Sequence, residues 1–257
     1  MRDERLPWHQ DLWRQIQGRQ RAGRLPHALL LAGPDGLGKS LFARRLAQAL
    51  LCARPDADGE ACDHCRGCRL FRAGSHPDYR MVRPEEDGKV IKVDQIRELC
   101  AFLGYTAQYG GQKIAVLEPA DRLNVNAANS LLKTLEEPPG NGVLLLVTAQ
   151  PARLPATVRS RCQKIRFDPP ATAVAVPWLA ARIEEGLEPA VLLEVAGGAP
   201  LMALAHADGA GWHRRQELFE SAGRPSRSDP GSGKLEPGRS GRKSALARQL
   251  ARRPDSA

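Results

Sequence analysis

The octapeptide Gly33-Pro34-Asp35-Gly36-Leu37-Gly38-Lys39-Ser40 constrains this chain more than any other feature, because a run of that form works only at one kind of junction. Its glycines sit where backbone N–H groups must close around phosphate oxygens. Lys39 supplies a point charge for the β and γ phosphates, and Ser40 is placed to meet Mg²⁺. Such a cradle needs a strand before it and a helix after it, so that the first helical turn faces the anion. Both are present. His27 to Ala32 reads as a short apolar strand, and Leu41, Ala43, Leu46, Ala47 and Leu50 recur at helical spacing. Gly33, Gly36, Gly38, Lys39 and Ser40 are therefore the expected nucleotide-binding residues, for ATP or ADP.

Hydrolysis asks for more than a cradle. An Asp at the end of an apolar strand must hold Mg²⁺, and a neighbouring carboxylate must orient the attacking water. The strand expected at Lys113 to Leu117 runs instead into Glu118-Pro119-Ala120-Asp121, a degenerate Walker B in which Pro119 can do neither job. The sequence thus predicts nucleotide held without turnover, with Mg²⁺ left open. An active ATPase that uses Glu118 for Mg²⁺ and Asp121 for the water is the enzymatic alternative.

The rest of the chain alternates strands with helices. Leu12, Trp13 and Ile16 share one face of a helix across Trp8 to Arg21. Asp94 reads as the N-cap of a helix with Ile96, Leu99, Cys100 and Leu103 on one face. A further helix starts near Asn124, continues to Glu137 and is stopped by Pro138 and Pro139. Val143 to Thr148 is a third strand, almost wholly apolar as a central parallel strand should be, and Ile165 to Phe167 a fourth. This alternation predicts an α/β fold, a parallel sheet covered on both faces with ligand at the carboxyl ends of its strands.

Cys52, Cys62, Cys65 and Cys68 follow directly on the helix of the cradle. Four thiolates at such short spacing suit a closed tetrahedral zinc site, and the Asp, Arg and Gly around them do not suit core-seeking free cysteines. An iron–sulfur cluster would want a further cysteine soon after Cys68, and Arg69 to His76 has none. His64, between two of the thiols, reads as a solvated side chain.

Charge divides the chain further. The 257 residues carry a net charge of +9, and residues 209–257 hold 11 Lys and Arg against 5 Asp and Glu. From Ser221 onward 16 of 37 residues are Gly, Pro or Ser, with no Val, Ile, Phe, Tyr or Trp, a composition that cannot bury a core and predicts a low-complexity basic tail. Met1 to Gln10 is polar and charged, and no run approaches 18 apolar residues, so the expectation is a soluble, cytoplasmic protein. A basic tail and a zinc module would also suit a zinc-dependent DNA-binding protein, whose affinity would fall steeply with salt.

The helix of the cradle followed by four cysteines, the block Asn129-Ser130-Leu131-Leu132-Lys133-Thr134-Leu135-Glu136-Glu137-Pro138-Pro139, and then Ser160-Arg161-Cys162 resemble bacterial clamp-loader AAA+ subunits. Glu118-Pro119-Ala120-Asp121 resembles the delta-prime branch, whereas the catalytic gamma/tau branch would show Asp-Glu at positions 118 and 119. The resemblance runs from about Leu6 to Asp208. It implies a P-loop AAA+ domain over 1–167 with the zinc module at 52–68, a small helical lid over 168–210, and a tail over 211–257 in place of the family's collar domain. It implies further that Thr148 is the sensor-1 residue and that Arg161 is an arginine finger presented to the next subunit's nucleotide. Met202 would stand where the sensor-2 helix, Gly197 to Leu204, carries an arginine. The implied role is a non-hydrolysing stator in a ring with gamma/tau and delta subunits. That ring, part of the DNA polymerase III holoenzyme, places the sliding clamp on primed DNA.

Overall fold

The computed structural model describes residues 5–86, 89–109 and 111–207; the predicted tail, 211–257, lies outside them. A short 3₁₀ turn, Pro7–His9, leads into α1 (Gln10–Arg21) and then β1 (Ala28–Ala32). The glycine loop follows, and α2 (Lys39–Leu50) starts on its last residues. Next come α3 (Arg66–Arg72), β2 (Tyr79–Val82), α4 (Val93–Gly104), β3 (Lys113–Leu117), α5 (Val125–Glu136) and β4 (Gly142–Thr148). The short α6 (Ala156–Arg159) precedes β5 (Gln163–Arg166), and α7 (Thr172–Ala180), α8 (Pro189–Val195) and α9 (Pro200–Ala207) complete the described chain.

The five strands pair in the order β2-β3-β4-β1-β5, and every pairing is parallel. Parallel strands are sustainable only when both faces are covered, and the alternation within each strand shows how this is done. Leu29 and Leu31 of β1, Ile114 and Val116 of β3 and Leu145 of β4 turn to one side, against Trp13 and Ile16 of α1 and Phe42 and Leu46 of α2. Leu30, Ala115, Leu117 and Leu146 turn to the other, against Ile96 and Leu99 of α4 and Leu131 and Leu135 of α5. The α/β expectation is met. Phe42 joins an aromatic cluster in the first layer, with its ring edge-on to His9, Trp13 and Phe167 at centroid distances of 5.4, 5.7 and 5.3 Å.

Two local expectations need correction. The fourth helix is capped at Lys92, whose N–H is accepted by Gln95 Oε1 at 2.9 Å, so Asp94 lies inside the first turn and not at the cap. There its charge faces the positive end of the helix dipole and is paired to Arg97 at 2.9 Å. The sheet also has a strand with no counterpart among the expected ones, β2. As an edge strand it is mostly half-exposed and mixes Arg80 with Tyr79 and Met81, so it lacks the apolar run that betrays the central strands. Asn124, by contrast, caps α5 as expected, its side chain accepting from the Ala127 N–H at 2.8 Å.

The helices α7 to α9 gather around a third apolar cluster of Ala175, Trp178, Leu179, Leu192, Leu193 and Ala203. Leu6, from the start of the described chain, is buried in the same cluster, and Trp8 meets Trp178 edge-on at 5.0 Å. No single helix among the described residues is long and apolar enough to cross a membrane.

Candidate functional site

A cleft of about 540 Å³ opens at the carboxyl ends of β1, β3 and β4, where a parallel α/β sheet offers its ligand position. Its walls include Lys39, Ser40, Glu118, Asp121, Thr148 and Leu201. The loop that forms its floor is held from behind. The indole N–H of Trp8 and the His9 Nε2–H both donate to the Leu37 carbonyl, at 3.0 and 2.8 Å. A planar trans peptide sends its N–H the opposite way from its carbonyl, so this double anchor turns the Gly38 N–H toward the cleft. Burial pushes the His9 imidazole down to about 4, which keeps it neutral in this role.

Three loop glycines leave no room for a side chain: a β-carbon on Gly33 would lie 2.1 Å from the Phe167 carbonyl oxygen, and two others also need an unusual backbone. Gly36 and Gly38 have φ of 75° and 84°, a left-handed backbone that side chains disfavour. A β-carbon on Gly36 would lie 2.6 Å from Met202 Cβ, and one on Gly38 would lie 2.4 Å from Leu6. The glycines thus serve close packing as well as the turn. Through Gly36 the loop touches α9 directly, the Leu201 N–H donating to the Gly36 carbonyl at 3.0 Å. Met202 packs behind the loop against the first core layer, and α9 presents Leu201, Leu204 and Ala205 to the cleft with no charged group among them.

The charged groups satisfy one another. Lys39 Nζ donates to the Pro34 carbonyl at 2.7 Å and lies 3.5 Å from Asp35. Burial lowers its pKa, with Asp35, Glu118 and Asp121 pulling the other way. Ser40 Oγ donates to Glu118 Oε1, and Glu118 Oε2 accepts from Arg83 at 2.7 Å. Thr148 Oγ1 donates to Asp121 and accepts from the Gln150 N–H at 3.0 Å. Pro119 lines the cleft without any donor to offer. The sequence-predicted cleft residues therefore converge, but as a closed set of ion pairs and hydrogen bonds.

Arg161 is not part of the cleft. It follows α6, about one-third exposed, with its guanidinium paired to Glu136 at 2.6 Å and donating to the Thr157 carbonyl at 2.9 Å.

The four thiols of Cys52, Cys62, Cys65 and Cys68 lie within 4.8 Å of one another. A tetrahedral zinc with Zn–S of about 2.3 Å sets sulfurs about 3.8 Å apart, so the set fits such an ion and could hold a metal. Cys52 Sγ and Cys65 Sγ stand at 4.0 Å. The Cys62, Cys65 and Cys68 N–H groups donate to the sulfurs of Cys52, Cys62 and Cys65 at 3.3 to 3.4 Å, an arrangement that stabilises thiolates. Burial alone would raise the Cys65 thiol, yet the amides of Cys68 and Ala53 bring it down to about 6. The intervening loop is moored to the core by Arg45, paired to Glu60, and by Gln48, which donates to Asp63 at 2.7 Å. His64 is exposed.

Three participants escaped sequence reasoning: Trp8, His9 and Arg83. Trp8 carried no signal beyond helical periodicity. Arg83 lies 35 residues from Glu118, and only the pairing of β2 with β3 brings them together.

A family model described as DNA polymerase III, delta subunit, matches residues 8–171. The chain is 49% identical over 201 residues to DNA polymerase III subunit delta' of Pseudomonas aeruginosa, covering 77% of this chain and 60% of that one. It is 38% identical over 216 residues to the subunit delta' of Escherichia coli, covering 84% and 64%. The chain thus spans 60 to 64% of these two relatives' length. Among solved structures, a DNA polymerase III gamma-subunit-related protein of Thermotoga maritima aligns with a TM-score of 0.48 at 22% identity, over 80% of this chain and 62% of that one.

Proposed function

We propose that this chain, which belongs to the DNA polymerase III delta-prime family, is a non-hydrolysing subunit of a clamp loader that lends Arg161 to a neighbouring ATPase. The observation that carries the reading is the division of labour between the two arginine-bearing places. The chain's own cleft has a cradle but no second Walker B carboxylate, since Pro119 follows Glu118 and the Glu118 oxygens are taken by Ser40 and Arg83. Arg161 stands apart from that cleft, about one-third exposed, on a half-exposed carboxylate it can exchange for a more strongly charged partner. On this reading α7 to α9 form the lid over 168–210, Thr148 occupies the sensor-1 place, and ATP or ADP rests in the cradle without turnover. The ring partners are gamma/tau and delta subunits, with the sliding clamp and primed DNA as the assembly's substrates.

The metal on this reading is zinc, held by Cys52, Cys62, Cys65 and Cys68 in a structural role. With four protein ligands no position is open for a catalytic water, and the ion's contribution is to tie the loop 52–68 to the end of α2.

Two measurements test the main proposal. In a complex reconstituted with the ATPase neighbours, Arg161→Ala should leave assembly intact and lower the ATPase rate by an order of magnitude or more, since a finger of this kind contributes roughly 10³ to 10⁵ in rate. The purified chain alone should show no Lys39-dependent turnover. Equal rates for the two complexes, or sustained turnover by the single chain, would overturn the reading.

A further inference from the structure

The outward face of α3 is lined by arginine. Its seven residues, Arg66-Gly67-Cys68-Arg69-Leu70-Phe71-Arg72, carry three positive charges and no negative one. Gly67, Cys68 and Phe71 are buried, and the exposed side chains of the helix are Arg66, Arg69 and Arg72. The inner side sets this orientation. Phe71 belongs to the first core layer, and a β-carbon on Gly67 would lie 2.6 Å from the Leu51 carbonyl oxygen, so α3 is seated closely on the end of α2. At three-residue spacing, successive arginine β-carbons stand about 5 to 6 Å apart in a row.

These charges lack the partners that others have. Beside and along β2 and α4, Arg80, Arg83, Lys92 and Arg97 each sit on a carboxylate. Among the described residues Arg66, Arg69 and Arg72 are paired to none. The nearby acids of the cysteine loop are engaged inward, Glu60 with Arg45 and Asp63 with Gln48. Arg66 is steadied instead by an aromatic ring, its guanidinium 5.5 Å from the Tyr109 centroid, and the Tyr109 N–H is fixed on Asp78 at 3.0 Å.

We propose that this row is a docking surface for the phosphate backbone of DNA, made by the chain itself and indifferent to base sequence. A protein partner wants an apolar centre to its contact, and the exposed side chains of α3 supply none. A chain of regularly repeated negative charge suits the row better. Each guanidinium fork can take phosphate oxygens, while contacts of that kind position a nucleic acid without reading it. The inference depends on neither the nucleotide cleft nor Arg161. It assigns to α3 of this subunit a contact that the proposed function leaves to the assembly.

The test is fluorescence anisotropy of labelled single-stranded and duplex DNA with the full chain across a potassium chloride series. Replacing Arg66, Arg69 and Arg72 together by Gln should flatten the slope of log affinity against log salt by about 2 for the single strand and nearly 3 for the duplex, at about 0.7 and 0.9 per phosphate contact. Lysine at the same three positions should keep the slope. The sequence beyond residue 208 is basic as well, so a charge-matched control is made at exposed positions off α3, Arg24, Arg159 and Lys164→Gln, and it should move the slope by less than about 1. An unchanged melting temperature reports that the α3 variants are folded. An α3 variant with the parent's slope, a control that falls as far, or tighter binding of an oligoglutamate than of DNA of equal charge overturns the inference, and each leaves the readings of the cleft and of Arg161 standing.

Discussion

His9 shows how a single residue behind a site can set the pH dependence of the fold that holds it. Its ring is wedged between Phe42 and Phe167 with its one N–H on the Leu37 carbonyl, and burial pushes its pKa from the ordinary 6.5 down to about 4. The unfolded chain therefore binds a proton below about pH 6.5 that the folded chain refuses until about pH 4. Stability from this group is complete above pH 6.5 and is lost as pH falls through that window, by about 3 kcal/mol in all. Thermal melts at pH 7.5 and 4.5 should show this, and His9→Gln should flatten the difference. A parent whose melting point is as high at pH 4.5 as at pH 7.5 would refute the assignment. The residues of the glycine cradle were legible in the sequence because the motif compresses them into eight consecutive positions. The residues that aim the loop were not, because Trp8 and His9 reach Leu37 across 28 to 29 positions and only the fold makes them neighbours.

Elements differ in how plainly they announce themselves. The central strands β1, β3 and β4 are runs of Leu, Val, Ile and Ala because both faces are covered, and such runs are read without ambiguity. The edge strand β2 has solvent on part of its surface and looks like ordinary loop sequence. The helix α7 is apolar on all sides and has Pro177 within it, so it offers no periodicity, and the resemblance rather than the pattern placed it in a lid. The loop 52–68 is legible for another reason, the spacing of its cysteines. One equivalent of zinc per chain should be found by metal analysis, and its removal by a chelator should lower the melting temperature and loosen the loop 52–68. Protease should then cut first between Cys52 and Arg66, ahead of Phe71, through which α3 joins the first core layer. In the core itself Phe42→Ala should destabilise the chain by about 3 to 5 kcal/mol in denaturant unfolding, as the ring fills the space between three other rings.

At the scale of the molecule, the start and the end of the described chain meet at the glycine loop. Leu6 is buried in the cluster of α7 to α9 and also lies against Gly38, so one side chain joins the three-helix unit to the cradle. Leu6→Ala is expected to cost about 2 to 5 kcal/mol and to raise hydrogen exchange across α7 to α9 more than across the sheet. Uniform exchange in both would mean that the helices are held by other contacts. The bond from the Leu201 N–H to the Gly36 carbonyl carries this connection to its last step. Because that bond ties the first turn of the helix to the loop, a force applied to α9 is felt at Gly36.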